Sequence, residues 1–245
     1  MSEVKTEFVT LKVVDGTTMR AFMAQPERGS NLPGMLVFQE AFGVNEHIRD
    51  VTQRFAKEGY LAIAPELFHR TAPPGFEGNY ADFKSVMPHV AALKDEGLEA
   101  DIHAAYEALK SDSRTDGGQI GCIGFCMGGR VSFLADLLLP VRAAISFYGG
   151  GIAPSGRKPG LLDRVSEMHA PILMFWGGLD KGIGQEQRQM VGNALRDARK
   201  TFASMEFADA DHAFFCDARA SYNKAAAEQA WVVSLAFLKS NLQPG

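Results

Sequence analysis

Short apolar segments alternate with longer amphipathic ones along almost the whole of this chain, and this alternation restricts its fold more than any other feature. The segments that predict strands are Phe8–Val14, Thr18–Gln25, Met35–Gln39, Tyr60–Ala64, Gln119–Gly124, Val141–Tyr148, Ile172–Trp176 and Ala203–Phe207. The segments that predict helices are His47–Lys57, Ala81–Leu93, Leu98–Leu109, Met127–Leu138, Gln185–Arg199 and Ala225–Leu242. Strands that alternate with helices form a largely parallel sheet covered on both faces. We therefore expect an α/β fold with a mostly parallel sheet of about eight strands.

Local sequence signals modify this arrangement at three points. Asp15-Gly16 separates the first two strands and is a strong hairpin signal, so the sheet should carry an antiparallel edge. Thr71–Tyr80 is rich in proline and glycine and predicts a loop. Pro88 lies inside the second predicted helix, where its missing amide hydrogen predicts a break or a kink.

Length and charge exclude several classes of protein. A chain of 245 residues without a dividing linker is expected to form a single domain spanning residues 1–245. The net charge of −4 and the lack of a basic stripe argue against nucleic-acid binding. No apolar run approaches the roughly 18 residues of a membrane helix, and Met1–Thr10 is charged where a signal peptide would be apolar. We expect a cytoplasmic monomer or small homo-oligomer that binds no membrane.

The cysteines Cys122, Cys126 and Cys216 are odd in number and irregular in spacing, which suits neither a disulfide framework nor a zinc site. We therefore expect free thiols, with no metal and no cofactor. Cys122 lies on a predicted strand and should pack in the core. For Cys216 the sequence leaves both lining a site and packing open.

The most specific motif is Gly124-Phe125-Cys126-Met127-Gly128-Gly129, which joins an apolar strand to a helix. It matches the nucleophile elbow G-x-S-x-G, with cysteine in place of serine. Small residues let the strand and the helix approach each other, and the helix N-terminus favours a thiolate and the oxyanion that it creates. The alternatives are a buried structural cysteine beside a glycine-rich turn and a phosphate loop. The phosphate loop fails because no Gly-Lys-Ser/Thr sequence follows.

Chain order and sheet geometry select the base. In folds with this elbow the order is nucleophile, acid, histidine, and His169 and His212 are the histidines that follow Cys126. His169 precedes a strand, at the edge of the sheet opposite to the carboxyl ends where sites gather. His212 follows the last strand and precedes the last helix, so it is the predicted base. The alternative for His212 is a capping role at that helix.

The acid should lie just after an earlier strand. Asp180 ends the loop Gly177-Gly178-Leu179-Asp180 that follows the strand Ile172–Trp176. There it could hold the imidazole in the correct tautomer and stabilise its charged form. Asp209 and Asp211 compete by proximity to His212, but a near neighbour in sequence rarely folds back onto the same ring, so we interpret both as solvated turn residues.

The motifs together resemble the dienelactone hydrolase (carboxymethylenebutenolidase) family of α/β-hydrolases, over almost the whole chain. They are Gln39-Glu40-Ala41-Phe42-Gly43-Val44-Asn45, Ala64-Pro65-Glu66-Leu67, the elbow, Gly177-Gly178-Leu179-Asp180 and Asp211-His212-Ala213-Phe214. The resemblance implies an α/β-hydrolase fold and a small-molecule ester or lactone substrate. It also implies a catalytic triad of Cys126, Asp180 and His212 that works through a thioester acyl-enzyme.

The resemblance implies further site residues. Glu40 matches a family glutamate that contacts the resting nucleophile and helps to remove its proton; a solvated loop carboxylate is the alternative. The backbone N–H groups of Ala41 and Met127 would form the oxyanion hole. The candidate substrate-binding residues are Phe42, Tyr80, Phe214, Phe215 and Cys216.

One departure concerns the substrate. Family members that act on dienelactone carry two arginines that bind the substrate carboxylate, one of them four residues after the histidine, where this chain has Cys216. The other would follow the fourth strand, yet no arginine occurs between Arg70 and Arg114. We therefore expect neutral substrates. Thioester hydrolysis, acyl transfer, and a non-catalytic redox or binding role on the same scaffold remain alternatives.

Overall fold

The chain begins with the antiparallel hairpin that Asp15-Gly16 predicts. Strand β1 (Val4–Lys12) pairs with β2 (Thr18–Pro26), and the Val13 amide donates to the Thr17 carbonyl at 3.0 Å to close the turn. This computed structural model describes residues 3–156 and 159–242.

The remaining elements alternate between strand and helix, as the sequence pattern predicts. They are β3 (Leu32–Phe38), α1 (Glu46–Lys57), β4 (Leu61–Pro65), α2 (Phe83–Ala92), α3 (Asp95–Ser111), β5 (Thr115–Phe125), α4 (Met127–Leu138), β6 (Ala143–Phe147), a 3-10 helix (Leu162–Glu167), β7 (Ile172–Gly177), α5 (Gln185–Asp197), β8 (Phe202–Phe207) and α6 (Lys224–Asn241). The strands form an eight-stranded sheet in the order β1-β2-β4-β3-β5-β6-β7-β8. The predicted α/β fold is confirmed.

The central strands are parallel and buried. β3 pairs in parallel with β4, and β6, β7 and β8 pair in parallel with one another. Every residue of β4, β6 and β7 is buried. Strands covered on both faces are continuous apolar runs rather than alternating ones, which explains why short runs such as that of β6 predict strands so clearly.

The contacts divide the chain into two compact units, Met1–Gly121 and Cys122–Gly245. The first holds β1 to β4, α1 to α3 and most of β5. The second starts in β5 and holds the elements from α4 to α6. That the whole chain behaves as one domain stays a prediction. Among the described residues, no helix has both the length and the apolar character to cross a bilayer.

Boundaries differ from the predictions where local propensity is weak. Helix α2 continues through Pro88, so of the predicted break or kink the break is wrong and the kink stays a prediction. A proline removes one intrahelical hydrogen bond, and the burial of Val86 in the turn before it helps to hold the helix against the core. β5 begins at Thr115 rather than Gln119. Its early part includes glycines with low strand propensity, which neighbouring strands override.

Candidate active site

Cys126 lies at the sharp turn between β5 and α4. Its backbone has φ 57° and ψ −119°, a strained conformation for a residue with a side chain. The turn is fixed because the Cys126 amide donates to the Phe147 carbonyl at 3.1 Å, and the Gly129 amide donates to the Cys126 carbonyl at 3.0 Å. Cys126 is partly exposed at the N-terminus of α4. This is the geometry of a nucleophile elbow.

Two glycines make this turn possible. A Cβ atom at Gly124 would lie 1.8 Å from the Gly128 carbonyl oxygen, and one at Gly129 would lie 2.7 Å from the Phe147 carbonyl oxygen. Both distances are impossible for a real side chain, so the motif needs glycine at these positions for a steric reason.

The predicted acid and base are in direct contact. The Asp180 Oδ2 atom lies 2.7 Å from the His212 Nδ1 atom. The loops that carry them are also joined, because the Leu179 amide donates to the Ala210 carbonyl at 2.9 Å. A Cβ at Gly177 would lie 2.7 Å from that same carbonyl oxygen, so the glycine permits the close approach of the acid loop and the histidine loop.

The Asp180 carboxylate is held at both oxygens. While Oδ2 meets His212, Oδ1 accepts hydrogen bonds from the amides of Gly182 at 2.8 Å and Ile183 at 3.2 Å. Burial disfavours the charged carboxylate, but the bond to His212 and these amides together lower the pKa of Asp180. An ionised carboxylate accepts only, so Nδ1 of His212 must be the donor.

His212 is also hydrogen-bonded to the Cys126 side chain. Since Nδ1 is bonded to Asp180, the contact with sulfur falls on Nε2. Burial opposes the charged imidazole, but the hydrogen bonds and negative charges of Asp180 and Cys126 outweigh it and raise the pKa of His212 to about 10. The imidazole therefore lies between two partners, with Asp180 on one side and the Cys126 sulfur on the other.

Tyr148 is a site neighbour that sequence reasoning missed. It follows β6, its φ is 39°, and its ring centroid lies 5.1 Å from that of His212. A positive φ at a bulky residue is strained and typical of functional sites. Its position at the carboxyl end of a buried parallel strand was the available signal, but the strained backbone has no local sequence signature.

The candidate substrate-binding residues after the histidine are buried. The Phe214 ring packs 5.3 Å from the Tyr148 ring, and the Phe215 ring stacks 5.3 Å from the Phe125 ring, centroid to centroid. Cys216 is fully buried as well. Such surroundings are those of core packing, and the packing of the two rings holds the turn after His212 in place. Contact with a substrate stays a prediction for Phe214, Phe215 and Cys216.

Met127 is the first residue of α4, and the other candidates belong to the first unit. Glu40, Ala41 and Phe42 are buried in the loop after β3. The Phe42 ring lies 4.6 Å from the Tyr80 ring, and the Tyr80 hydroxyl accepts a hydrogen bond from Asn45 Nδ2 at 2.7 Å. Three roles stay predictions: activation of the nucleophile by Glu40, oxyanion binding by the Ala41 N–H, and substrate contact by Phe42 and Tyr80.

The residues rejected as base or acid also lie in the second unit. His169 precedes β7 and so lies at the amino end of that strand. Its backbone amide donates to Asp136 Oδ1 at 3.1 Å. Asp209 and Asp211 are exposed. Asp211 accepts the backbone amide of His212 at 2.7 Å, which shapes the turn without reaching the imidazole.

The environments of the thiols predict a clear order of reactivity. Cys126 is partly exposed at the N-terminus of α4 with the His212 imidazole as a neighbour, and such surroundings favour a reactive thiol. Burial, aided by the Asp136 carboxylate, raises the pKa of Cys122 well above its ordinary value, and Cys216 is buried. We expect brief treatment with iodoacetamide near neutral pH to label Cys126 first, as measured by peptide mass mapping. Label found mainly on Cys122 or Cys216 would contradict the assignment.

The sequence pattern of the dienelactone hydrolase family matches residues 19–242. The chain belongs to the dienelactone hydrolase family. A protein of Synechocystis sp. provisionally named carboxymethylenebutenolidase is 37% identical over 236 residues, covering 94% of each chain. One of the same provisional name from Escherichia coli (strain K12) is 38% identical over 232 residues, covering 91% of this chain and 83% of the relative.

A solved structure agrees with this membership. The crystal structure provisionally titled dienelactone hydrolase from Klebsiella pneumoniae superimposes with a TM-score of 0.87 at 32% identity, covering 96% of this chain and 98% of that one. Membership of the dienelactone hydrolase family supports a hydrolase that acts on an ester or a lactone.

Proposed function

We propose that this chain hydrolyses a carboxylic ester or lactone with Cys126 as the nucleophile, His212 as the proton carrier and Asp180 as its orienting acid. The observation that carries the proposal is the chain of contacts from Asp180 through His212 to Cys126 at a strained strand–helix turn. Nucleophile, base and orienting acid in hydrogen-bond reach are what covalent acyl transfer requires.

In the acylation step the Cys126 thiolate attacks the substrate carbonyl and forms a C–S bond. The tetrahedral oxyanion then collapses, and the C–O bond to the leaving alcohol breaks. The His212 imidazolium donates its Nε2 proton to the departing alkoxide. The products of this step are an alcohol, or the freed hydroxyl end of a lactone, and a thioester on Cys126.

In the deacylation step His212 accepts a proton instead of donating one. The thioester sulfur carries no charge, so one of the causes that raise the pKa of His212 is removed. The neutral imidazole can then take a proton from water, which attacks the thioester carbonyl. Collapse of the second tetrahedral species releases the carboxylic acid and restores the thiolate–imidazolium pair.

The other proposed roles fall to Glu40, Ala41, Phe42, Tyr80 and Met127. The backbone N–H groups of Ala41 and Met127 are the proposed oxyanion donors, as is general for this fold. Glu40 is proposed, from the family resemblance, to assist the ionisation of the nucleophile. Phe42 and Tyr80 are proposed to contact an apolar part of the substrate.

The arginine content favours neutral substrates. Arg70 could in principle bind a substrate carboxylate, but its guanidinium donates to Asp101 at 2.8 Å through two nitrogens and to Asp15 at 2.7 Å. Its hydrogen bonds are therefore already used within the first unit. Lys84 and Lys181 are exposed, but a lysine is a point charge and does not reproduce the bidentate fork of an arginine.

We therefore expect a neutral methyl ester to be a better substrate than the corresponding free carboxylate. Each charge-assisted hydrogen bond that is missing weakens an anionic substrate by roughly tenfold to a hundredfold. The measurement is kcat/KM for a dienelactone carboxylate and for its methyl ester, within a screen of lactones, esters and thioesters that uses Cys126→Ala as the blank. A clear preference for the carboxylate would overturn the expectation, and a preference for thioesters would favour thioester hydrolysis or acyl transfer.

A further inference from the structure

The side chain of Gln39 joins two backbone segments inside the first unit. Gln39 is fully buried at the carboxyl end of β3. Its Nε2 donates to the carbonyl oxygen of Glu40 at 3.2 Å, and its Oε1 accepts the amide of Leu67 at 3.0 Å. The two partners, one acceptor and one donor, match the two ends of the amide, so the orientation of the side chain is determined by its surroundings.

The bond to the Glu40 carbonyl acts on a particular peptide plane. The carbonyl of Glu40 and the N–H of Ala41 belong to the same peptide group, which is trans. In a trans peptide these two groups point in opposite directions from one rigid plane. By holding the carbonyl on one side, Gln39 aims the Ala41 N–H to the other side.

The loop beyond this peptide is also fixed. The Phe42 carbonyl accepts the Gly78 amide at 3.0 Å, and the Val44 carbonyl accepts Arg49 Nη1 at 2.7 Å. Gly43 has φ 78°, and a Cβ there would lie 2.2 Å from the Phe76 carbonyl oxygen. The loop is therefore anchored at Phe42 and Val44. The bond from Gln39 restrains the Glu40–Ala41 peptide at the start of the loop, where a rotation would redirect the Ala41 N–H.

We propose that Gln39 is a positioning residue for the oxyanion hole: its side-chain amide, anchored on Leu67, fixes the Glu40–Ala41 peptide so that the Ala41 N–H is preorganised to bind the developing oxyanion. This role rests on the proposed function, because the oxyanion exists only in acyl transfer. Preorganised donors stabilise the transition state because they need no reorientation during the reaction.

The test compares a reaction that forms an oxyanion with one that does not. Gln39→Met removes both hydrogen bonds at similar size, and Gln39→Leu removes them with a second apolar side chain that cannot donate or accept. For each variant we would measure kcat and KM for a neutral ester, the rate of Cys126 alkylation by iodoacetamide, and the melting temperature. Thr52→Val is the matched control, because it also removes a buried side-chain bond to a backbone carbonyl in the first unit, 2.7 Å long.

We expect kcat for the ester to fall about tenfold to a hundredfold in both Gln39 variants, less than the roughly 10²- to 10³-fold loss for removing an oxyanion donor outright, because the Ala41 N–H is loosened and not removed. KM and the alkylation rate should stay within about threefold of wild type. Thr52→Val should leave the ratio of ester turnover to alkylation unchanged. Equal losses of turnover and alkylation, or turnover retained in a folded Gln39→Met or Gln39→Leu variant, would overturn the role of Gln39 and leave the proposed function standing. A wild-type chain that is alkylated at Cys126 yet hydrolyses no ester, lactone or thioester would overturn the proposed function and this role together.

Discussion

Cys126→Ala is expected to abolish ester hydrolysis, with a loss of turnover on the order of 10⁶-fold where the triad acts as a unit. The fold should persist, because alanine is smaller than cysteine and β5, α4 and the elbow glycines are unchanged. The measurement is kcat for a neutral ester, together with circular dichroism and the melting temperature. The expected result is a folded chain without turnover.

Cys122→Ala provides the matched control for this variant. Cys122 is a fully buried thiol on the same strand, and its Sγ donates weakly to the Ser132 carbonyl at 3.6 Å. Its loss should lower the stability modestly and leave kcat near wild type. If Cys126→Ala kept more than about a tenth of the wild-type turnover, against the loss expected for a covalent nucleophile, Cys126 would not be that nucleophile.

Asp180→Asn is expected to lower kcat by about 10³- to 10⁴-fold while KM changes little. An asparagine amide can present an N–H to His212 Nδ1, which would then accept rather than donate, so the imidazole would take the wrong tautomer. The control is Asp209→Asn, the same change at an exposed residue of the histidine loop. Similar losses in the two variants would mean that the effect is structural and not specific to Asp180.

The same variant should alter the pH dependence of stability. In the folded chain the pKa of His212 is raised from 6.5 to about 10, so the stability this provides is complete below pH 6.5 and is lost as the pH rises towards 10. The pKa of Asp180 is lowered from 3.8, so its contribution is present above that pH and is lost on acidification. Urea unfolding should therefore show the largest stability difference between wild type and Asp180→Asn between about pH 4 and pH 6.5, decreasing towards pH 10. A difference that grew with pH over this interval would contradict the assigned pairing.

The sequence by itself determined the fold class and proposed where the chemistry lies. Apolar runs such as that of β6 predicted buried strands because a strand covered on both faces has no polar positions. The elbow was visible because its steric requirement is local: in this turn a Cβ atom at Gly124 or Gly129 would clash with a backbone carbonyl oxygen. Asp180 and His212 followed from chain order and from the rule that sites gather at the carboxyl ends of parallel strands.

The tertiary structure decided what depends on contacts between distant residues. It revealed the strained Tyr148 against His212 and the burial of Phe214 in aromatic packing, because neither backbone strain nor ring environment is encoded in neighbouring residues. It showed that Arg70 is already bound to two carboxylates. It also joined Gln39 to Leu67, which is 28 positions away in sequence. Hydrogen bonds and packing of this kind form only once the strands have brought separate segments together, so no local pattern could have predicted them.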